Sequence, residues 1–240
     1  MLVGLAVITV LAWAYLAYLA SEMRHMDMQM AMPRTQAWGP VEYLLMFVMW
    51  AVMMVAMMIP SAAPMIITFA SVNRRRREQQ RPYIPTGVFL AGYLTVWTLY
   101  SVAATLVQGA LHGAALLSPM MVSTSPVLGG VLLMTAGVFQ WTPLKHACLR
   151  HCRSPLSVIM SDWREGRRGA FTMGLKHGAY CTGCCWSLMA LLFVAGVMNL
   201  LWVAAIGAFV LIEKLAPRGH LVGSIAGLLL LVAGAIMISG

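Results

Sequence analysis

Residues 41–69 read VEYLLMFVMWAVMMVAMMIPSAAPMIITF and contain a single charged residue, Glu42. An α-helix of about 20 apolar residues crosses the ~30 Å hydrocarbon core of a bilayer, so this run is long enough to span a membrane. The rest of the chain is similar: of its 240 residues 61% are hydrophobic and 10% are charged, with a mean hydropathy of +0.82. This composition excludes a soluble enzyme, a disordered chain and a secreted disulfide scaffold. It predicts an all-α, polytopic transmembrane helix bundle.

Further apolar runs on both sides of this stretch predict about seven helices in a single membrane domain covering residues 1–240. The first span covers residues 1–20, a polar Met-rich link covers 21–40, and the last span lies within 218–240. We expect Pro60 and Pro64 to kink or end the second helix, because proline lacks an N–H donor and clashes with the preceding turn. The expected intermediate spans are 41–69, 87–108, 126–143, 170–195 and 199–215.

The distribution of basic residues predicts the orientation. All 16 lysines and arginines except Arg24 and Arg34 lie in or beside the links that follow the second, fourth and sixth spans. Cytoplasmic links carry the excess of Lys and Arg, so these links and the N-terminus are expected in the cytoplasm and the Met-rich link outside. The net charge of +9 is then explained by orientation, and no nucleic-acid partner is expected.

The outer link alternates methionine with polar residues and contains His25, Met26, Met28 and Met30. Thioethers are neutral and soft, and they select Cu(I) over harder ions, so these residues are candidates for collecting that ion. The alternative is an interfacial loop whose methionines lie among lipid headgroups.

A stripe of methionines follows on the second helix. At about 100° per residue, Met46, Met49, Met53 and Met57 fall on one face and form a candidate ladder for a soft metal ion. The alternative is packing, because methionine often fills gaps between helices.

The five cysteines form two groups near the expected cytoplasmic surface, each with a histidine. Helical i to i+4 spacing puts Cys148 and Cys152 on one face, and His177 and Cys181 on another. Thiolates and imidazoles bind Cu(I) and Zn(II), so the two groups predict a metal site. The Cys181 to Cys184 interval also fits a redox pair, and single cysteines are often small apolar residues. The candidate ligands are Cys148, His151, Cys152, His177, Cys181, Cys184 and Cys185.

Three motifs carry a family resemblance: WTPLK at 141–145, CLRHCRSP at 148–155 and HGAYCTGCCW at 177–186. Together with the Met-rich helix, Gly196–Asn199 and Glu213–Lys214, they resemble a bacterial family described as predicted metal-binding integral membrane proteins. The resemblance covers 41–217. It implies metal binding and a polytopic helical fold, in keeping with a multi-pass protein of the bacterial inner membrane.

These features lead to one principal hypothesis, a membrane protein that handles or transports Cu(I) from the outer Met-rich loop to the inner Cys/His site. Its partners would be the lipid bilayer, the metal ion and a metallochaperone or membrane enzyme complex. One alternative is an accessory subunit of a membrane complex with a structural Zn(II) site. The other is a membrane thiol-disulfide oxidoreductase. The sequence indicates no set of catalytic residues, so an enzymatic role is not favoured.

Overall fold

The computed structural model describes residues 2–27, 38–80, 83–118 and 123–239, with the backbone alone over 23–27. Helices dominate these ranges, which confirms the all-α prediction. Within the described ranges a single antiparallel bridge joins Leu117 to Ser123. The helices are α1 Leu2–Asp27, α2 Pro40–Glu78, α3 Thr86–Gly113, α4 Pro126–Phe139, α5 Pro143–Arg153, α6 Pro155–Ser161, α7 Gly166–Ala190, α8 Leu192–Ala195, α9 Leu200–Leu215 and α10 Gly219–Ser239.

By length and composition, five helical segments in the described ranges can cross a membrane: α1, α2, α3, α7 with α8, and α10. Helices α4 and α5 meet at a bend of 64°, and together they would make a sixth span. Helix α9 has 16 residues. At a rise of 1.5 Å per residue it is about 24 Å long, less than the ~30 Å core. The expected count of about seven spans is therefore higher than these lengths support.

Helix α2 continues through both prolines, so the expectation that they end it is wrong. It runs for 39 residues and includes Arg74–Arg77, which we expected in a link. Next to the prolines, side chains bond to the backbone within the helix: Ser61 Oγ donates to Met58 O at 3.0 Å, and Thr68 Oγ1 to Pro64 O at 2.7 Å. Proline is tolerated within transmembrane helices where hydroxyl side chains and neighbouring helices help to satisfy backbone groups.

Glycines let α3 and α7 approach closely. A Cβ on Gly174 would lie 2.0 Å from Phe89 O, and one on Gly92 would lie 2.2 Å from Phe171 O. Without a hydrophobic driving force in lipid, helices associate through close packing at small residues. This contact positions α7, which carries three of the five cysteines.

A second glycine contact joins α4 to α10. Gly130 faces Gly234, where a Cβ on either would lie 2.8 Å from the other's carbonyl oxygen. Gly137, seven residues later in α4, and Gly227, seven residues earlier in α10, form the same reciprocal contact at 2.8 and 2.9 Å. The two helices are therefore antiparallel and in direct backbone contact.

The basic segments meet at one end of the bundle. Arg76, near the end of α2, pairs with Glu165 at the start of α7 at 2.5 Å, and Arg153 of α5 donates to Ala216 O at 2.5 Å. We call this the basic end, and it consists of the last turn of α2, α5, α6, the first turns of α7 and the α9–α10 turn.

Candidate metal site

Thiols from two helices meet in the interior near the basic end. Helix α7 presents Cys181, Cys184 and Cys185, and α5 brings Cys152 against them. The two helices pack against each other, and the Cys152 and Cys185 side chains each interact electrostatically with Cys181 and Cys184. All four residues are 9% exposed or less. We call these four residues the thiol cluster.

Cys148 lies one turn before Cys152 on α5 and packs at the edge of the cluster. A Cβ on Gly183 would lie 2.9 Å from Cys148 Sγ, so the absence of a side chain at Gly183 makes room for this thiol. The expected i to i+4 relation is therefore present, since both cysteines of α5 face α7.

The five cysteines are all free thiols. Cys184 Sγ and Cys185 Sγ each donate to the Cys181 carbonyl oxygen at 3.0 Å, so these two thiols point back along α7. In keeping with this orientation, no group of three or more His, Cys, Asp or Glu side chains in the described ranges forms a ready-made metal site.

Lys214 contacts the thiol cluster, although it is not among the site residues predicted from the sequence. Its Nζ lies 3.0 Å from Cys181 Sγ and 3.0 Å from Ser61 Oγ, and the residue is 6% exposed. Tyr93 reaches the same sulfur, with its hydroxyl 3.2 Å away. An ionisable residue within a membrane helix is a functional candidate by default, and that rule would have identified Lys214.

Glu213, next to Lys214 on α9, forms a separate buried ion pair. Lys145 Nζ lies 2.7 Å from Glu213 Oε1 and 2.8 Å from Oε2, and it also donates to Gln140 Oε1. Both charged side chains are 2% exposed. This pair links α5 to α9. Glu213 therefore contacts α5, and the next residue of α9, Lys214, contacts the thiol cluster.

The two expected histidine ligands lie beside the thiol cluster. His177 is 3% exposed, and neither of its ring nitrogens has a hydrogen-bond partner. Its ring stacks on Tyr93 with a centroid distance of 5.5 Å and on Phe89 at 6.2 Å. His151 stacks on Tyr180 at 3.8 Å, and the two imidazole centroids are 6.3 Å apart.

The methionine stripe of α2 is buried over most of its length. Met49, Met53 and Met57 are 2% exposed or less, whereas Met46 is partly buried and its sulfur accepts from Gln108 Nε2 at 3.8 Å. Burial suits both packing and a ladder, so the ladder remains a prediction.

Another methionine of α2, Met58, is outside that stripe and is linked to the thiol cluster through Ser61 and Lys214. Met58 Sδ is 3.9 Å from Ser61 Oγ, the hydroxyl that Lys214 contacts. For the outer group, Met28, Met30 and the side chains of His25 and Met26 lie outside the described residues.

Residues 47–237 match the PpoB2 family, which is described as copper chaperone. The chain belongs to this family. No curated protein and no solved structure matches the chain. The matched range of the copper chaperone family contains the thiol cluster, His151, His177 and Lys214, and it begins just after Met46. The family description supports a copper-related function and agrees with the expected metal ion.

Proposed function

We propose that this copper chaperone family member lies in the bacterial inner membrane and holds Cu(I) as cargo in the thiol cluster. The observation that carries the proposal is the burial of four cysteine side chains from the packed helices α5 and α7 together with a lysine ammonium 3.0 Å from Cys181 Sγ. Soft thiolate sulfur is the ligand type that selects Cu(I). The Cys184 and Cys185 thiols would have to leave the Cys181 carbonyl oxygen and turn toward a shared ion, which side-chain rotation allows.

The charge at the cluster suits Cu(I). One Cu(I) with two thiolates carries a net charge of −1, and the ammonium of Lys214 balances it. Buried charge without a partner is costly, so a cation beside the thiols favours this complex.

We propose that Cu(I) reaches the cluster from the outer face. His25, Met26, Met28 and Met30 would collect the ion, and Met46, Met49, Met53 and Met57 would relay it along α2. Neutral thioethers release an ion more readily than thiolates, so the order of ligands favours movement toward the cluster. A metallochaperone or a membrane enzyme complex would receive the ion.

Burial weighs against thiol-disulfide exchange as the main function. Cys181 and Cys184 are 2% exposed or less, and exchange requires attack by an incoming thiolate on an accessible sulfur. A structural Zn(II) site remains an outcome that the following experiment separates from Cu(I) handling.

The experiment is metal analysis by mass spectrometry of protein purified in detergent under reducing conditions and loaded with Cu(I). We expect at least one tightly held copper per chain in the wild type, and one copper fewer per chain in the Cys152→Ser, Cys181→Ser, Cys184→Ser triple variant. The matched control is Cys148→Ser, which removes a thiol outside the cluster and should retain the copper. Zinc lost in the triple variant would favour the structural clamp, and unchanged copper in that variant would contradict the proposal.

A further inference from the structure

A small cavity lies between His177 and the basic end. Its volume is about 10 Å³, which is about the space that one water molecule or one ion requires. Met65, Met173, His151 and His177 contribute to its wall, and Asp162 and Lys176 lie at its rim. His177 precedes Cys181 by one turn of α7, so the cavity is the next space beyond the thiol cluster.

His177 is the buried polar side chain in this wall that has no partner. It is 3% exposed and both ring nitrogens are unpaired, although burying a polar group without a hydrogen bond costs free energy. Stacking on Tyr93 and Phe89 holds the ring in place. The side chain therefore keeps a ring nitrogen available as a metal ligand at a fixed position in the interior.

The neighbouring donors suit a soft ion. Met65 is 2% exposed and Met173 is 7% exposed, so two buried thioethers line the cavity beside the unpaired imidazole. Imidazole and thioether together are good ligands for Cu(I).

The rim does not oppose a cation. Lys176 Nζ pairs with Asp162 Oδ2, so the positive charge at the rim has a negative partner. The Lys176 ammonium holds the pKa of the Asp162 carboxyl below its ordinary value, so this carboxylate is ionised at neutral pH.

The geometry points to a second Cu(I) site in this cavity, with His177 and Met65 as ligands, through which the ion leaves the thiol cluster toward the basic end. The direction of transfer rests on the proposed function. In the transfer, bonds from Cu(I) to a His177 nitrogen and to Met65 Sδ form as the two bonds from copper to cysteine sulfur break. One released thiolate keeps Lys214 as its counter-charge, the other takes up a proton from water, and copper remains Cu(I).

The test counts bound ions with Ag(I), a redox-inert probe for Cu(I), on the full chain in detergent. We expect two ions per wild-type chain and one in the His177→Phe variant, which keeps the stacked ring but removes both nitrogens. Met65→Leu preserves side-chain volume and should weaken the second site at least tenfold. His146→Phe changes a half-buried histidine of α5 that does not line this cavity, so it is the matched control and should bind two ions.

The Cys152→Ser, Cys181→Ser, Cys184→Ser triple variant separates this inference from the proposed function. In that background, the nitrogen NMR signals of His177 should shift on addition of one equivalent of Ag(I). Loss of the thiol-bound ion with retention of the His177 shift supports the second site by itself. Two ions in His177→Phe together with no histidine shift would overturn it, and would leave one ordered water as the occupant of the cavity.

Discussion

A lysine ammonium in an apolar helix needs an anion or several hydrogen-bond acceptors, because water is not there to solvate it. Lys214 has Cys181 Sγ and Ser61 Oγ, each 3.0 Å from Nζ. A hydroxyl is a neutral acceptor, so the sulfur is the partner that can supply negative charge. The same contact makes Cys181 a better metal ligand, because only the thiolate form binds a metal ion.

Replacing the ammonium should therefore weaken metal binding more than it weakens the fold. We expect Lys214→Met to reduce Cu(I) affinity by about 10- to 100-fold, since a charge-assisted hydrogen bond contributes about 1.5–3 kcal/mol. Competition with a Cu(I) chelator measures the affinity, and thermal unfolding in detergent checks the fold. Ser61→Ala keeps the ammonium and removes the hydroxyl, so its affinity should change less than about threefold. Equal losses in the two variants would show that charge at Lys214 is not what the site requires.

At the scale of the helices, local spacing predicted some features of the site and not others. The i to i+4 intervals correctly predicted that Cys148 and Cys152 share a face of α5, because helical periodicity depends on the chain alone. The approach of α5 to α7 places Cys148 against Gly183, and the Lys145–Glu213 pair links α5 to α9. Such contacts join residues far apart in sequence, so spacing cannot reveal them. The continuation of α2 through its prolines has the same cause, since surrounding groups decide whether proline ends a helix.

The close contact between the α3 and α7 backbones predicts that alanine substitution will change stability very differently at two glycines. Gly174→Ala should destabilise the protein by about 1–3 kcal/mol, because its Cβ would overlap Phe89 O and force α3 from α7. Gly87→Ala, in the exposed first turn of α3, meets no atom within 4 Å and should be neutral or stabilise by up to about 1 kcal/mol. Thermal unfolding of both variants in the same detergent compares them. A Gly174→Ala protein as stable as Gly87→Ala would exclude the close α3–α7 crossing.

For the whole molecule, the distribution of basic residues predicted more of the structure than the lengths of the apolar runs did. Each lysine or arginine in a link contributes to the predicted orientation, so a count along the sequence predicts which links lie on the same side. In the structure those segments meet at the basic end. Span number depends on where each helix begins and ends, and α4 ends at Phe139 after 14 residues. The bend between α4 and α5 brings Cys148 and Cys152 against α7. The departure from a simple spanning helix is thus part of how the thiol cluster is assembled.

If the basic end faces the cytoplasm, the two ends of α3 must be accessible from opposite sides of the membrane. Gln79, at the turn before α3, and Ala114, directly after it, are exposed residues suited to cysteine substitution. In bacterial spheroplasts a membrane-impermeant maleimide should label Ala114→Cys and not Gln79→Cys, and inverted vesicles should reverse this pattern. The wild type is its own control, because its five cysteines are buried and should stay unlabelled. Labelling of Gln79→Cys in spheroplasts would reverse the orientation and, with it, the direction in which Cu(I) has to move between the thiol cluster and the basic end.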